Sequence, residues 1–192
     1  MKATKYTPHI EAYIERSSEV MRAFKKQSHI ISDIASALDK ARARGASIFI
    51  MGNGGSASTA SHMACDLNKT AIRSGKKRFR AVSLSDNIPV MLAWANDDSY
   101  GSIFEEQLKN HMSGGDIVIG ISGSGNSENV LRAIKYANSK GNLTIGITGM
   151  GGGKLAGMAK LSLVIPDDTM YRIEDFHLAL NHLLVYTFLH SD

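Results

Sequence analysis

Five short apolar runs, at residues 47–51, 79–84, 116–121, 143–148 and 161–165, alternate along this chain with stretches of helical periodicity. Each run is too short for a helix and closes on Gly, Ser or Pro, as buried parallel strands do. The stretches between and after them, 56–67, 90–95, 128–139 and 171–189, carry apolar residues at helical spacing. Strands that alternate with helices connect by right-handed crossovers and leave both faces of the sheet covered. The pattern therefore predicts an α/β fold: a doubly wound, three-layer α-β-α domain around a five-stranded parallel sheet. Ahead of it, Ile10, Tyr13, Ile14, Val20, Met21, Phe24, Ile30, Ile31, Ile34 and Leu38 recur at three- and four-residue spacing. They predict a long N-terminal helix within residues 1–42, which packs either on a partner subunit or on its own sheet. No internal repeat or linker divides the chain, so residues 1–192 read as one domain.

Composition narrows the function classes. The hydrophobic share is 43% and the charged share 21%, an ordinary globular balance. Cys65 is the only cysteine, so no intramolecular disulfide forms and a cytoplasmic location is expected. The polar start (Lys2, Lys5, His9, Glu11) reads against a signal peptide, and no apolar stretch reaches the roughly 18 residues that span a bilayer. Much of the net charge of +4 lies in Arg73, Lys76, Lys77, Arg78 and Arg80. That run reads as a solvated loop before a strand, or as a lure for an anionic substrate. No aromatic-interleaved basic motif accompanies it, so neither a nucleic-acid nor a membrane partner is expected.

In a doubly wound fold ligands sit at the carboxyl ends of the strands. The first strand runs into Gly52-Asn53-Gly54-Gly55-Ser56-Ala57-Ser58, and the third into Ser122-Gly123-Ser124-Gly125-Asn126-Ser127. Both loops precede a helix. Glycine lets the backbone approach an anion, the helix N-terminus offers unpaired N–H groups, and the serines add hydroxyl donors. Either loop alone is also what a tight turn needs. Two at equivalent strand ends point to a phosphate. Gly52, Gly54 and Ala57 match a dinucleotide fingerprint formally, but no acidic residue stands at the end of the second strand at the required interval.

His62 and Asp66 lie four residues apart and so share a helix face. On the last helix Glu174 and His182 are separated by about two turns, with Asp175 and His177 between them. Two imidazoles with two carboxylates suit a zinc site or an acid–base pair. Blander readings are a surface His62–Asp66 hydrogen bond, a buried satisfied His177, and an Asp175 that merely favours its helix start.

Together these residues, with the Arg172-Ile173 pair before Glu174 and the segment Gly151-Gly152-Gly153-Lys154-Leu155-Ala156-Gly157, resemble the phosphoheptose isomerase branch of the sugar isomerase (SIS) domain family. The resemblance covers nearly the whole chain. It implies conversion of sedoheptulose 7-phosphate to D-glycero-D-manno-heptopyranose 7-phosphate, a precursor of surface-polysaccharide heptose. It also implies a homotetramer with active sites between subunits, to which the N-terminal segment contributes. Catalytic roles fall on Asp66 and His182. One zinc ion per subunit falls among the positions of His62, Asp66, Glu174 and His182. Substrate contacts carry over to Asn53, Gly54, Gly55, Ser56, Asp97, Ser122, Gly123, Ser124, Ser127 and Glu174.

The chain departs from the family's usual residues at three of these places and at Thr70. Asp66 stands for a glutamate, Glu174 for a glutamine, Thr70 for an arginine (with Lys69 beside it as a candidate substitute) and Gly123 for a threonine. The shorter Asp66 is expected to withdraw its carboxylate by about one methylene. The implied chemistry is aldose–ketose isomerisation through an enediol, with Asp66 as base and His182 as partner acid. The rival is a non-catalytic SIS protein that binds a sugar phosphate or a partner protein, which needs the loops but not the acid–base residues.

Overall fold

A computed structural model describes residues 4–191. The sheet has five strands, β1 (Ser47–Met51), β2 (Arg80–Ser83), β3 (Ile117–Ser122), β4 (Leu143–Thr148) and β5 (Leu161–Val164), in the order β2-β1-β3-β4-β5. Every pair is parallel. All six residues of the central β3 are buried, whereas β2 and β5 at the edges are only partly covered. The strand order reverses between β1 and β3, so the crevice in which such folds bind ligands lies outside their carboxyl ends.

Alternation along the strands splits the core in two. Ile48 and Ile50 of β1 join the layer that contains α1 (Thr7–Lys25), α2 (Ser28–Arg44), α3 (Gly55–Cys65) and α8 (Met170–His190). Phe49 and Met51 face the opposite layer, which holds α5 (Glu105–His111), α6 (Glu128–Ser139) and α7 (Gly153–Met158). Trp94 and Met91 of α4 (Ile88–Asp97) pack on its margin.

The N-terminal helical stretch is interrupted. Helix α1 ends at Lys25, and α2 begins at Ser28 after Gln27 leaves helical geometry and donates its amide to the Val164 carbonyl. Helix α2 stops at Gly45, whose φ of 75° permits a paired C-terminal cap: Gly45 N–H to the Arg42 carbonyl and Ala46 N–H to that of Ala41. The basic run follows α3 and leads into β2, at the edge of the sheet opposite the carboxyl ends of the strands. Lys76, Lys77 and Arg78 are exposed there, which favours the solvated loop over the lure.

Candidate active site

The loops after β1 and β3 meet. They line a cleft of about 280 Å³ with Asn53, Gly54, Gly55, Ser56, Ser122, Gly123, Ser124 and Ser127, closed on one side by Met170 and Glu174 of α8. The N-termini of α3 and α6 both open on it. Ser122 and Ser127 exchange a hydroxyl hydrogen bond at 3.0 Å, and Ser56 is buried at the first turn of α3. Ser124 accepts from the Asn126 N–H. The first loop is pinned by Ser85, which donates to the Gly52 carbonyl at 3.0 Å and accepts from its N–H. Asn53 pairs amide to amide with the buried Asn129 and accepts from the Tyr100 hydroxyl at 2.9 Å. Asp97 ends α4, exposed, its carboxylate bonded to Asn96, and it is not among the residues that line the cleft.

From this cleft α3 and α8 run side by side, and farther along their seam a second cluster appears. The Asp66 Oδ2 lies 3.2 Å from His62 Nε2 and 3.9 Å from His182 Nε2, and the two imidazole nitrogens are 3.5 Å apart. The rings meet edge to face. Asp66 is almost buried, while both histidines are open to solvent. The withdrawal expected of the shorter carboxylate leaves Asp66 within reach of both rings.

Zinc holds nitrogen and oxygen ligands at about 2.0–2.2 Å in a tetrahedron, which spaces the ligand atoms about 3.4 Å apart. The separations of 3.2, 3.5 and 3.9 Å suit such an ion. Among the described residues, these three form the group whose ligand atoms all lie within 4.8 Å of one another. Glu174 does not join them. It stands two turns earlier on α8, where its carboxylate rests against the α-carbon of Gly55. Three protein ligands with a fourth position free is the arrangement of a catalytic rather than a structural zinc.

His177 is buried, with Nε2 on the Thr148 carbonyl at 3.2 Å. Its Nδ1 has no partner among the described residues, so the side chain is only half satisfied. Asp175 bonds the Tyr13 hydroxyl and so ties α8 to α1. Sequence reasoning missed Asn129, Tyr100, Met170 and Asn181. Of these, only Asn181 left a signal: it is an amide on the apolar stripe of a leucine-rich helix.

An open parallel sheet with two amide- and hydroxyl-rich loops at its switch point, continued by a carboxylate–imidazole cluster, defines an anion-binding doubly wound α/β protein equipped for acid–base chemistry. Comparison with known proteins narrows the class. A family model described as "SIS domain" matches residues 12–149. A phosphoheptose isomerase from Aquifex aeolicus is 35% identical over 91% of this chain and 92% of its own length. The corresponding protein of Thermodesulfovibrio yellowstonii is 36% identical over 91% and 86%. The solved phosphoheptose isomerase of Neisseria gonorrhoeae superposes with a TM-score of 0.89 at 28% identity, covering 96% of this chain and 98% of its own. That of Francisella tularensis gives 0.90 at 25%, with the same coverage. The chain belongs to the SIS domain family and, within it, to the phosphoheptose isomerases.

Proposed function

We propose that the chain isomerises sedoheptulose 7-phosphate to D-glycero-D-manno-heptopyranose 7-phosphate, with the phosphate in the two-loop cleft and the carbonyl end at the His62–Asp66–His182 cluster. One observation carries this reading. From Gly55 to His62 the axis of α3 advances about 10 Å, a span comparable to an extended seven-carbon sugar phosphate. The phosphate and the reacting carbons lie at opposite ends of that substrate. A binding protein without catalysis has a use for the cleft but none for the cluster.

Ser56, Ser122, Ser124 and Ser127 supply hydroxyls to the phosphate, and the freed amides at Gly54, Gly55 and Gly123 approach it closely. The N-termini of α3 and α6 favour its negative charge. Asn53 orients the sugar from within its pair with Asn129. Asp66 removes the proton from the carbon beside the carbonyl. His182 moves a proton between the two oxygens of the enediol, and Asp66 returns the proton it took to the adjacent carbon, which completes the aldose and restores both groups. Glu174 faces the phosphate end of the substrate, and Asp97 is assigned to the sugar only as a more distant contact. Zinc, one per chain, would be held by His62, Asp66 and His182, with Glu174 too far along α8 in this arrangement to complete the set. Such an ion polarises the carbonyl and stabilises negative charge on its oxygen.

We also propose a homotetramer in which active sites lie near subunit contacts. Its support is exposed apolar surface: Tyr6 just before α1, Ile10, Ile14 and Met21 on α1, and Ile88 and Leu92 on α4, which has no buried residue. Light scattering on the purified protein tests that assembly. Among the described residues no helix is long and apolar enough to cross a membrane. The free thiol of Cys65 supports a reducing compartment, the cytoplasm.

The activity is tested by NMR of the purified protein with sedoheptulose 7-phosphate in deuterated water, with and without added zinc. Heptose signals carrying deuterium at the carbon beside the carbonyl are expected. A protein that binds the sugar phosphate yet turns nothing over under any metal condition would return the reading to a binding protein or to another phosphosugar.

A further inference from the structure

Two side chains with no part in the chemistry above converge on Asp66. Thr70 Oγ1 donates to Oδ1 at 2.9 Å, and Asn181 Nδ2 donates to Oδ2 at 2.9 Å. Each reaches the carboxylate from a different element. Thr70 lies in a π-helical turn, Asp66–Thr70, that continues α3 and is closed by the Ala71 N–H on the Asp66 carbonyl at 2.8 Å. Asn181 projects from α8 and is fully buried.

Asn181 is costly for the fold. Its Oδ1 has no hydrogen-bond partner among the described residues, and an unsatisfied buried acceptor costs about 1–3 kcal/mol. A leucine at that place would carry no such penalty. The benefit lies in what its NH₂ group does. An ionised carboxylate has about four acceptor positions. Thr70 takes one on Oδ1 and Asn181 takes one on Oδ2. The second position on Oδ2 is left for the neighbouring histidine nitrogens, or for whatever ion or proton those nitrogens share with it. Without the two bonds, a carboxylate one methylene from the backbone rotates about its terminal torsion, which has broad, soft wells.

We infer that Thr70 and Asn181 form a two-point clamp that fixes the plane of the Asp66 carboxylate and presents Oδ2 between His62 and His182. Both are positioning residues, acting through Asp66 and not on substrate. The inference rests on the proposed role of this cluster as a metal-holding catalytic centre. Outer groups that orient a metal ligand are typically worth 10–100-fold in metal affinity or activity.

The test compares Thr70→Val, Thr70→Ser and Asn181→Leu with the unaltered protein. Zinc affinity is read by competition with a chromogenic chelator and cobalt binding by visible absorption, alongside kcat, KM and thermal melting. Both Thr70→Val and Asn181→Leu are expected to bind metal 10–100-fold more weakly while keeping KM for the phosphosugar, and Thr70→Ser to restore affinity. Native affinity and native kcat in a folded Thr70→Val or a folded Asn181→Leu would overturn the clamp. Thr70 is exposed, so should Asn181→Leu fail to fold, the Thr70 pair decides alone. If the unaltered protein binds neither metal, the zinc reading falls and the clamp is judged on turnover. A fall in kcat of about tenfold in Thr70→Val at constant KM, reversed by serine, then sustains it, and an unchanged kcat removes it.

Discussion

The carboxylate of Glu174 lies so close to the α-carbon of Gly55 that a methyl group there would overlap its oxygens. This contact puts an acidic side chain beside the N-terminus of α3, at the wall of the phosphate cleft. Gly55→Ala can be accommodated only if Glu174 swings away or the first loop shifts. Either change disturbs the donors around the phosphate, so KM for the sugar phosphate is expected to rise about tenfold, the effect of losing roughly one charge-assisted hydrogen bond. Steady-state kinetics checks it. An unchanged KM would mean that Glu174 moves freely and plays no part in shaping the cleft.

Asp66→Asn keeps the size of the side chain and the bond from Thr70 but removes the base. General acid–base groups contribute typically about 10²–10⁴ in rate, and a fall of that order in kcat is expected. Phosphate binding should persist, because Ser56 and the serines of the second loop lie at the other end of α3. Turnover assays paired with calorimetric titration of inorganic phosphate separate the two effects. Near-normal turnover would take Asp66 out of the mechanism.

The second loop is held from behind by the glycine segment that follows β4. The Gly149 N–H reaches the Gly123 carbonyl at 3.0 Å, the Leu155 N–H that of Gly125 at 2.9 Å, and the Lys154 N–H the side chain of Asn126 at 3.2 Å. Gly153 sits at φ 54° and ψ −156°, and a Cβ on it would collide with the Ser124 carbonyl. Gly153→Ala therefore combines a glycine-only backbone with a steric clash, the former alone costing about 1–3 kcal/mol. A lower urea midpoint and weaker phosphate binding are expected together. Loss of stability with intact phosphate affinity would show that the segment supports the sheet and not the loop.

The strands and the two loops were legible because their signals are local. A buried parallel strand is an unbroken apolar run, and Gly and Ser directly after it announce an anion loop. Helices α5 and α7 were not. Leu108 is the one aliphatic residue in Glu105–His111, whose buried Gln107 instead bonds the Leu84 and Ile103 carbonyls. Gly153–Met158 carries glycines that argue against a helix. The His62–Asp66 pair could be read from its spacing. The approach of His182 depends on how α8 packs on α3: the residue types made it a candidate and the family resemblance gave it a role, but no spacing in the sequence sets its distance from Asp66. The displacement of Glu174 from that cluster depends on the rise of α8, which carries it back to the phosphate loops.

Two buried groups each contribute to the acid limb of stability, in separate windows. Burial pushes His177 down to about 4 from its usual 6.5, against the opposing bond to the Thr148 carbonyl. The fold thus holds the imidazole neutral where the unfolded chain protonates it. Stability from this group is complete above about pH 6.5 and is lost as pH falls toward 4, by about 3 kcal/mol in total. Asp167 behaves alike at lower pH. Burial works to raise it, but the Arg172 guanidinium at 2.8 Å and the Thr169 N–H outweigh burial and hold it at about 2, below the usual 3.8. Its contribution is present above about pH 4 and fades toward pH 2. Urea unfolding of the native chain at pH 7, 6, 5 and 4 should show falling stability, with a steepest slope for this group of about 1.4 kcal/mol per pH unit. In His177→Leu the difference from the native chain should narrow by about 3 kcal/mol across that range, because the other titrating groups act equally on both proteins. Parallel curves for the two proteins would mean that His177 reaches water, or a proton donor, in solution.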